Sequence, residues 1–336
     1  MPSYSKADKA LHRLALNPAI AEIGFSIDQA LASAKPDSVT DGKHVFVAGL
    51  ARAGTTVLMR RIHESGAFRS LTYKDMPFVL APNLWSKLRG RSNKPLATAE
   101  RAHGDGLEVN EESPESLDEV FWRVFTGDSY IAKDRLQPYD PAEDDLKRFK
   151  SYVAAILSAS GTSRYLSKNN NNILRLTALA RAFPYASLLI PFRHPLAQAR
   201  SLQAQHARFS DLHAEDKFAS DYMRWLVHHE FGSDHRPMGF GATIGSPSDG
   251  LSYWVRQWCR VYAAVLETAP KTAIFVCYED LCDDPNTWSR LALQLDLPQS
   301  GTTDFVRRED PSDWADVDAA LRNEARALYS DLRARA

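Results

Sequence analysis

The chain has 336 residues, 44% hydrophobic and 25% charged, with a formal net charge of −1 at pH 7. That length can bury a substantial core, and the composition is that of a globular protein. The near-neutral charge excludes bulk attraction to nucleic acid or to an anionic membrane surface, so any anion must be held by a local cluster.

Residues 1–40 read as peripheral N-terminal helices, in two segments near Lys6–Leu16 and Ile20–Ala34, ended by Pro36, Asp41 and Gly42. No signal-peptide pattern opens the chain, and no run of about 18 apolar residues occurs, so neither leader nor transmembrane helix is expected. His44–Ala48 holds the short apolar run Val45-Phe46-Val47, which suits a strand buried on both faces. A glycine-bounded turn follows from Gly49 to Gly54. Thr55–Ser65 then places Val57, Leu58 and Ile62 at helical spacing and stops at Gly66.

Lys87–Gly106 is basic and polar and reads as a loop. Ser113-Pro114-Glu115 has the form of a helix start, and Asp140-Pro141-Ala142-Glu143 repeats it for a helix running to about Ser160. Arg164–Lys168 is a weaker strand candidate. Ser187–Phe192 and Thr272–Cys277 are apolar strands, the first followed through Arg193-His194-Pro195 by a helix to about Phe209. The adjacent His228-His229 reads as a helix-surface feature rather than a metal site. Gly232–Gly250, rich in Gly, Pro and Ser, reads as a surface excursion. Strands separated by helices predict one α/β domain over residues 1–336, a central, mostly parallel sheet flanked by helices in the three-layer manner of P-loop proteins. Residues 86–160 and 210–250 are expected as insertions over an acceptor site. Three cysteines, Cys259, Cys277 and Cys282, with no CxxC pair, argue against disulfides or structural zinc and fit a cytoplasmic setting.

The turn Gly49-Leu-Ala-Arg52-Ala53-Gly54-Thr55-Thr56 has the spacing of a phosphate-binding loop. Converging backbone N–H groups and the positive end of the next helix favour an anion there. A nucleotide-hydrolysing loop has lysine right after the second glycine. Thr55 stands there instead, and the cation sits inside the loop as Arg52. Farther on, Phe192-Arg193-His194-Pro195 ends a strand, and Ser201 lies eight residues after Arg193 on the next helix. A guanidinium and a hydroxyl so disposed can converge on one phosphate.

These two segments resemble the sulfotransferases that use 3′-phosphoadenosine 5′-phosphosulfate (PAPS). The resemblance implies that Arg52, Ala53, Gly54, Thr55 and Thr56 hold the 5′-phosphosulfate, and that Arg193 and Ser201 hold the 3′-phosphate. It further implies adenosine 3′,5′-bisphosphate (PAP) as product, no metal, and a small-molecule, carbohydrate or lipid acceptor. Ser167-Lys168-Asn169-Asn170, with the helix and strand that lead to Arg193, resembles a lysine-bearing run of the family, from which Lys168 could reach the sulfonate or the acceptor. Tyr278-Glu279-Asp280-Leu281 resembles a late tyrosine-acid-leucine motif, and helix capping explains it equally well.

The acceptor hydroxyl needs a base. Asp75, nineteen residues after Thr56, is the carboxylate expected to serve, where the family more often has Glu or His. His103, Asp105 and Glu108 come next. Phe78, Trp85, Phe121 and Trp122 are candidate acceptor-pocket aromatics. A P-loop kinase or NTPase, reading Ile274–Asp280 as a magnesium-carboxylate strand, remains an alternative. So does a nucleotide-binding protein without chemistry.

Overall fold

The computed structural model describes residues 5–32, 35–89, 113–158, 160–298, 304–307 and 313–336, and the backbone alone at 99–100 and 108–109. Its centre is a four-stranded sheet in the order β4 (Leu166–Lys168), β1 (Val45–Val47), β5 (Ser187–Phe192), β6 (Ile274–Cys277). All three pairings are parallel, with Val47 level with both Lys168 and Leu189. Alternate side chains leave a strand on opposite faces. Val45 and Val47 therefore join Leu189 and Val276 on one face, under α3 (Thr55–His63) and α12 (Pro285–Gln294). Phe46, Leu188, Ile190 and Phe192 form the other face. There they meet α6 (Glu143–Ser158), α7 (Leu176–Ala182), α8 (Pro195–Glu215) and α10 (Leu251–Thr268). The expected α/β fold of helix, sheet and helix layers is thus present, and continuous apolar strands are its cause.

The helices start where the capping chemistry is sound. Pro195 opens α8, and Asp216 accepts the Phe218 N–H (2.8 Å) to start α9 (Lys217–Trp225). Asp284 accepts the Asn286 N–H (3.0 Å) ahead of α12, and Asp318 the Leu321 N–H (2.8 Å) ahead of the last helix, α13 (Ala319–Arg333). The helix α8 outruns its expected end at Phe209 by six residues, because Phe209 and His213 keep its inner face buried.

Several expectations need correction. Ser113-Pro114-Glu115 starts no helix. Pro114 bridges to Thr72, and the Glu115 N–H donates to the Leu71 carbonyl (3.1 Å), so α5 (Glu119–Tyr130) begins later. Pairing with the 71–72 segment outweighs the local capping preference. Lys87–Arg89 finish a helix, α4 (Pro82–Arg89), rather than opening a loop. Farther along, only the short antiparallel pair β2 (Ala99–Glu100) and β3 (Glu108–Val109) is described before residue 113. His228-His229 lies beyond α9, past a Val227 with φ of 56°, and His229 is buried. The N-terminal pair α1 (Lys6–Ala15) and α2 (Pro18–Ala32) buries only a few residues each, His12 and Ala15 on the first and Ala21, Phe25 and Asp28 on the second. Phe25 packs on Phe121 and Phe125, and the buried Asp28 accepts the Leu84 N–H (2.7 Å). Phe121 and Trp122 are wholly buried among Phe149 and Tyr152, so they build core, not an acceptor pocket.

Candidate active site at the C-terminal edge of the sheet

Parallel strands deliver their C-terminal ends to one edge, and open α/β sheets bind ligands there. Val47 leads into the glycine loop, Lys168 into Asn169, Phe192 into Arg193 and Cys277 into Tyr278, the first residue of α11 (Tyr278–Asp283). The Asn169 N–H donates to the Val47 carbonyl (3.0 Å), which seats the Lys168 turn against the root of the loop.

The loop is shaped by close approach. A Cβ on Gly49 would lie 2.7 Å from the Pro191 carbonyl oxygen, so only glycine lets the chain leave β1 that near β5. Arg52 (φ 70°) and Gly54 (φ 85°) are both left-handed. For the non-glycine Arg52 that conformation costs roughly 1–2 kcal/mol and is the kind of strain that collects at functional sites. Gln198, wholly buried on α8, donates to the carbonyls of Leu50 (3.2 Å) and Ala51 (2.9 Å) while accepting from the Trp258 indole (3.0 Å). These bonds hold the loop's carbonyls inward. The first N–H groups of α3, from Gly54 onward, have no partner within the helix by its geometry. The loop amides, with Arg52 and Thr55–Thr56, thus suit an anion.

The two anion motifs meet. The Arg52 Nε donates to the Ser201 Oγ (3.0 Å) across 149 residues of sequence. Arg193 stands at the end of β5 with its guanidinium over the Tyr278 ring (5.8 Å), and the same ring closes on Gly54. Arg193 Nε lies 3.8 Å from Glu279 Oε1, which also accepts the His194 N–H (3.0 Å). Arg52, Gly54, Arg193 and Ser201 therefore share one site. It gathers two guanidinium groups, a hydroxyl and the glycine-loop backbone, donors that suit anionic groups.

Lys168 is buried at the end of β4. Its charge acts on Glu230, a residue to which no sequence pattern pointed. Burial alone would push the Glu230 carboxyl up, but His228, Lys168 and the Asn170 amide outweigh it and hold it well below the usual carboxylate range. Asn170 Nδ2 donates to Glu230 Oε1 (2.7 Å), and Asn171 Nδ2 to the Val227 carbonyl (3.2 Å). The segment after α9 is thereby pinned to the sheet edge. The one sequence signal for it is the run Asn169–Asn172, whose amides need buried partners.

Beneath Lys168 lies a polar network. Asp118 accepts from Ser167 (2.6 Å), Tyr165 (3.2 Å) and Asn169 (3.1 Å), and its carboxyl is pushed up to about 6, chiefly by burial. Glu119 pairs with Arg175, both fully buried, and accepts from Asn169 (2.6 Å) and Tyr130 (2.5 Å). A satisfied buried network of this kind specifies one arrangement. Here it sets the turn that carries Lys168.

The Arg69 segment flanks β4 through a parallel bridge to Tyr165, with the Leu166 N–H donating to the Arg69 carbonyl (3.0 Å), and leads into a short turn that ends at the buried Asp75. Its carboxylate is engaged. Oδ1 pairs with Arg69 (2.6 Å), and Oδ2 accepts the Thr72 N–H (2.7 Å). Phe78 and Trp85 pack on each other (5.1 Å), half-buried. His103 and Asp105 lie outside the described residues, and only the backbone is described at Glu108. Among the described residues, no group of three or more His, Cys, Asp or Glu side chains is arranged to hold a metal ion.

Fold and site define the class first: an α/β protein with a glycine loop behind its first strand. The chain belongs to the sulfotransferase family, whose model matches residues 44–236, from β1 through α9. Solved structures that it resembles include sulfotransferases of Mycobacterium avium (16% identity, 98% of this chain and 79% of that one, TM-score 0.47) and Mycobacterium tuberculosis H37Rv (16%, 97% and 80%, 0.48). Another is from Alicyclobacillus acidocaldarius (14%, 87% and 93%, 0.43). No curated protein matches the chain. Among the described residues, no helix is long and apolar enough to cross a membrane.

Proposed function

We propose that the protein moves a sulfonate group from PAPS to a hydroxyl or amine acceptor, without a metal. The observation that carries this reading is the Arg52–Ser201 contact, which joins the loop suited to a 5′-phosphosulfate and the Arg193–Ser201 pair suited to a 3′-phosphate. ATP and GTP lack the 3′-phosphate, and Thr55 replaces the lysine that a kinase loop uses, so a sulfonate donor fits better than a nucleoside triphosphate.

PAPS supplies an activated sulfonate. Arg52, Ala53, Gly54, Thr55 and Thr56 hold its 5′ end, with Arg193 and Ser201 at the 3′-phosphate. The acceptor oxygen or nitrogen forms a bond to sulfur as the S–O bond to the phosphate breaks, and PAP leaves with that electron pair. Arg52 offsets the charge that grows on the leaving oxygen. Lys168 faces the transferring group or the acceptor. The acceptor proton passes to a carboxylate, for which Asp75 is proposed. To take it, Asp75 shares its oxygens between the proton and the Arg69 and Thr72 donors it already holds.

Calorimetric titration with PAP and with ADP, without magnesium, tests the reading. PAP is expected to bind more tightly than ADP, with the preference lost in Arg193→Ala. Equal binding of the two, or binding of ATP only with magnesium, would replace it with a P-loop kinase.

A further inference from the structure

The last helix, α13, reaches into this site from outside residues 44–236, the part that the family model matches. Its Tyr329 hydroxyl donates to Glu279 Oε2 (3.1 Å), while Glu279 Oε1 accepts the His194 N–H (3.0 Å) and lies 3.8 Å from Arg193 Nε. Glu279 is 5% exposed. Around this relay the helix is well seated. Arg333 pairs with Asp280 (2.6 Å), and the Tyr329 ring packs edge-on against His194 (5.4 Å) and Phe192 (5.9 Å). Ala325 and Leu332 are fully buried beneath it.

We infer that Glu279, anchored by Tyr329, is a positioning residue that aims Arg193 at the 3′-phosphate of the donor, so that the C-terminal helix takes part in donor recognition. This rests on the role proposed above for Arg193. The physical reason is pre-organisation. An arginine side chain has many rotamers, and ordering it on binding costs affinity. Here the carboxylate sits on the Nε side of the guanidinium and the Tyr278 ring covers one face. The terminal Nη pair is left to form the fork that phosphate accepts. A bare carboxylate so near an anion site would repel the ligand. Glu279 instead spends its charge on Arg193, the His194 N–H and the Tyr329 hydroxyl.

The test uses the full chain with Glu279→Gln and Tyr329→Phe, the second of which keeps the ring packing and removes only the hydroxyl. Each is titrated with PAP and with ADP, which has no 3′-phosphate. Removing the Glu279 charge beside Arg193, or the Tyr329 hydrogen bond that holds that carboxylate in place, is expected to weaken PAP roughly tenfold and leave ADP within about twofold. Unchanged or tighter PAP binding would overturn the inference, since a carboxylate that merely sat near the phosphate would repel it. So would a parallel fall for PAP and ADP, which marks a general structural loss. A wild-type protein with no preference for PAP would instead refute the Arg193 assignment and this inference with it.

Discussion

Gly54→Ala strikes both halves of the site with one methyl group. Gly54 has φ of 85°, and a Cβ there would come within 2.5 Å of the Tyr278 Cε2 atom. The left-handed backbone alone costs a residue with Cβ roughly 1–2 kcal/mol. Forcing a methyl into the ring adds about 1–3 kcal/mol, so the total is roughly 2–5 kcal/mol. Gly66 is the matched control, with φ of 69° and no atom within 4 Å of an added Cβ. Gly66→Ala should lose only the backbone part. Urea denaturation of both variants reads the difference. Repeating Gly54→Ala in a Tyr278→Ala background should reduce its cost to about that of Gly66→Ala, because the obstructing ring is gone. Tyr278 also lies under Arg193, so Gly54→Ala should weaken PAP binding roughly tenfold, as expected for a displaced charged contact. A cost for Gly54→Ala no larger than for Gly66→Ala would refute the claimed contact between loop and ring.

Asp75→Asn is expected to lower turnover at least about a hundredfold while PAP affinity stays within about twofold, the pattern of a lost base. Turnover near wild type with a lowered melting midpoint would confine Asp75 to bracing its turn and make Glu230 the next carboxylate to test. Acid should destabilise the fold. Burial holds His12, His44, His206, His213 and His229 below their ordinary value and takes His235 down to about 4. The folded rings stay neutral while the unfolded chain protonates near 6.5. Stability is therefore full above that pH and falls as the pH drops toward 4, by at most about 3 kcal/mol for His235 alone. Asp118 acts oppositely: its folded value of about 6 lies above the ordinary 3.8, so its contribution is lost as pH rises through 6 and partly offsets the histidines on acidification. Melting midpoints between pH 7.5 and 4 should fall, with a shallower slope in His235→Asn, whereas identical slopes would remove His235 from the account.

Local patterns made the sheet and the loop legible. Val45-Phe46-Val47, Ser187–Phe192 and Ile274–Cys277 are strands because runs with no polar face must be covered on both sides. The glycines at 49 and 54 stood out because a backbone approach leaves no other residue room. These features need few neighbours to be understood.

Other features depended on partners distant in sequence. Ser113-Pro114-Glu115 has sound local capping chemistry, yet its pairing with residues 71–72 decided its conformation. Glu230 carried no pattern of its own and gained meaning only when Asn170, Lys168 and His228 arrived beside it. The meeting of Arg52 with Ser201, and of Tyr329 with Glu279, likewise belongs to tertiary structure. Sequence by itself determined which segments can be strands and where an anion can approach the backbone, since both follow from side-chain size and polarity within a few residues. Which charges face one another across the sheet edge was left to packing, because a side chain's electrostatic environment is made by whatever the fold brings near it.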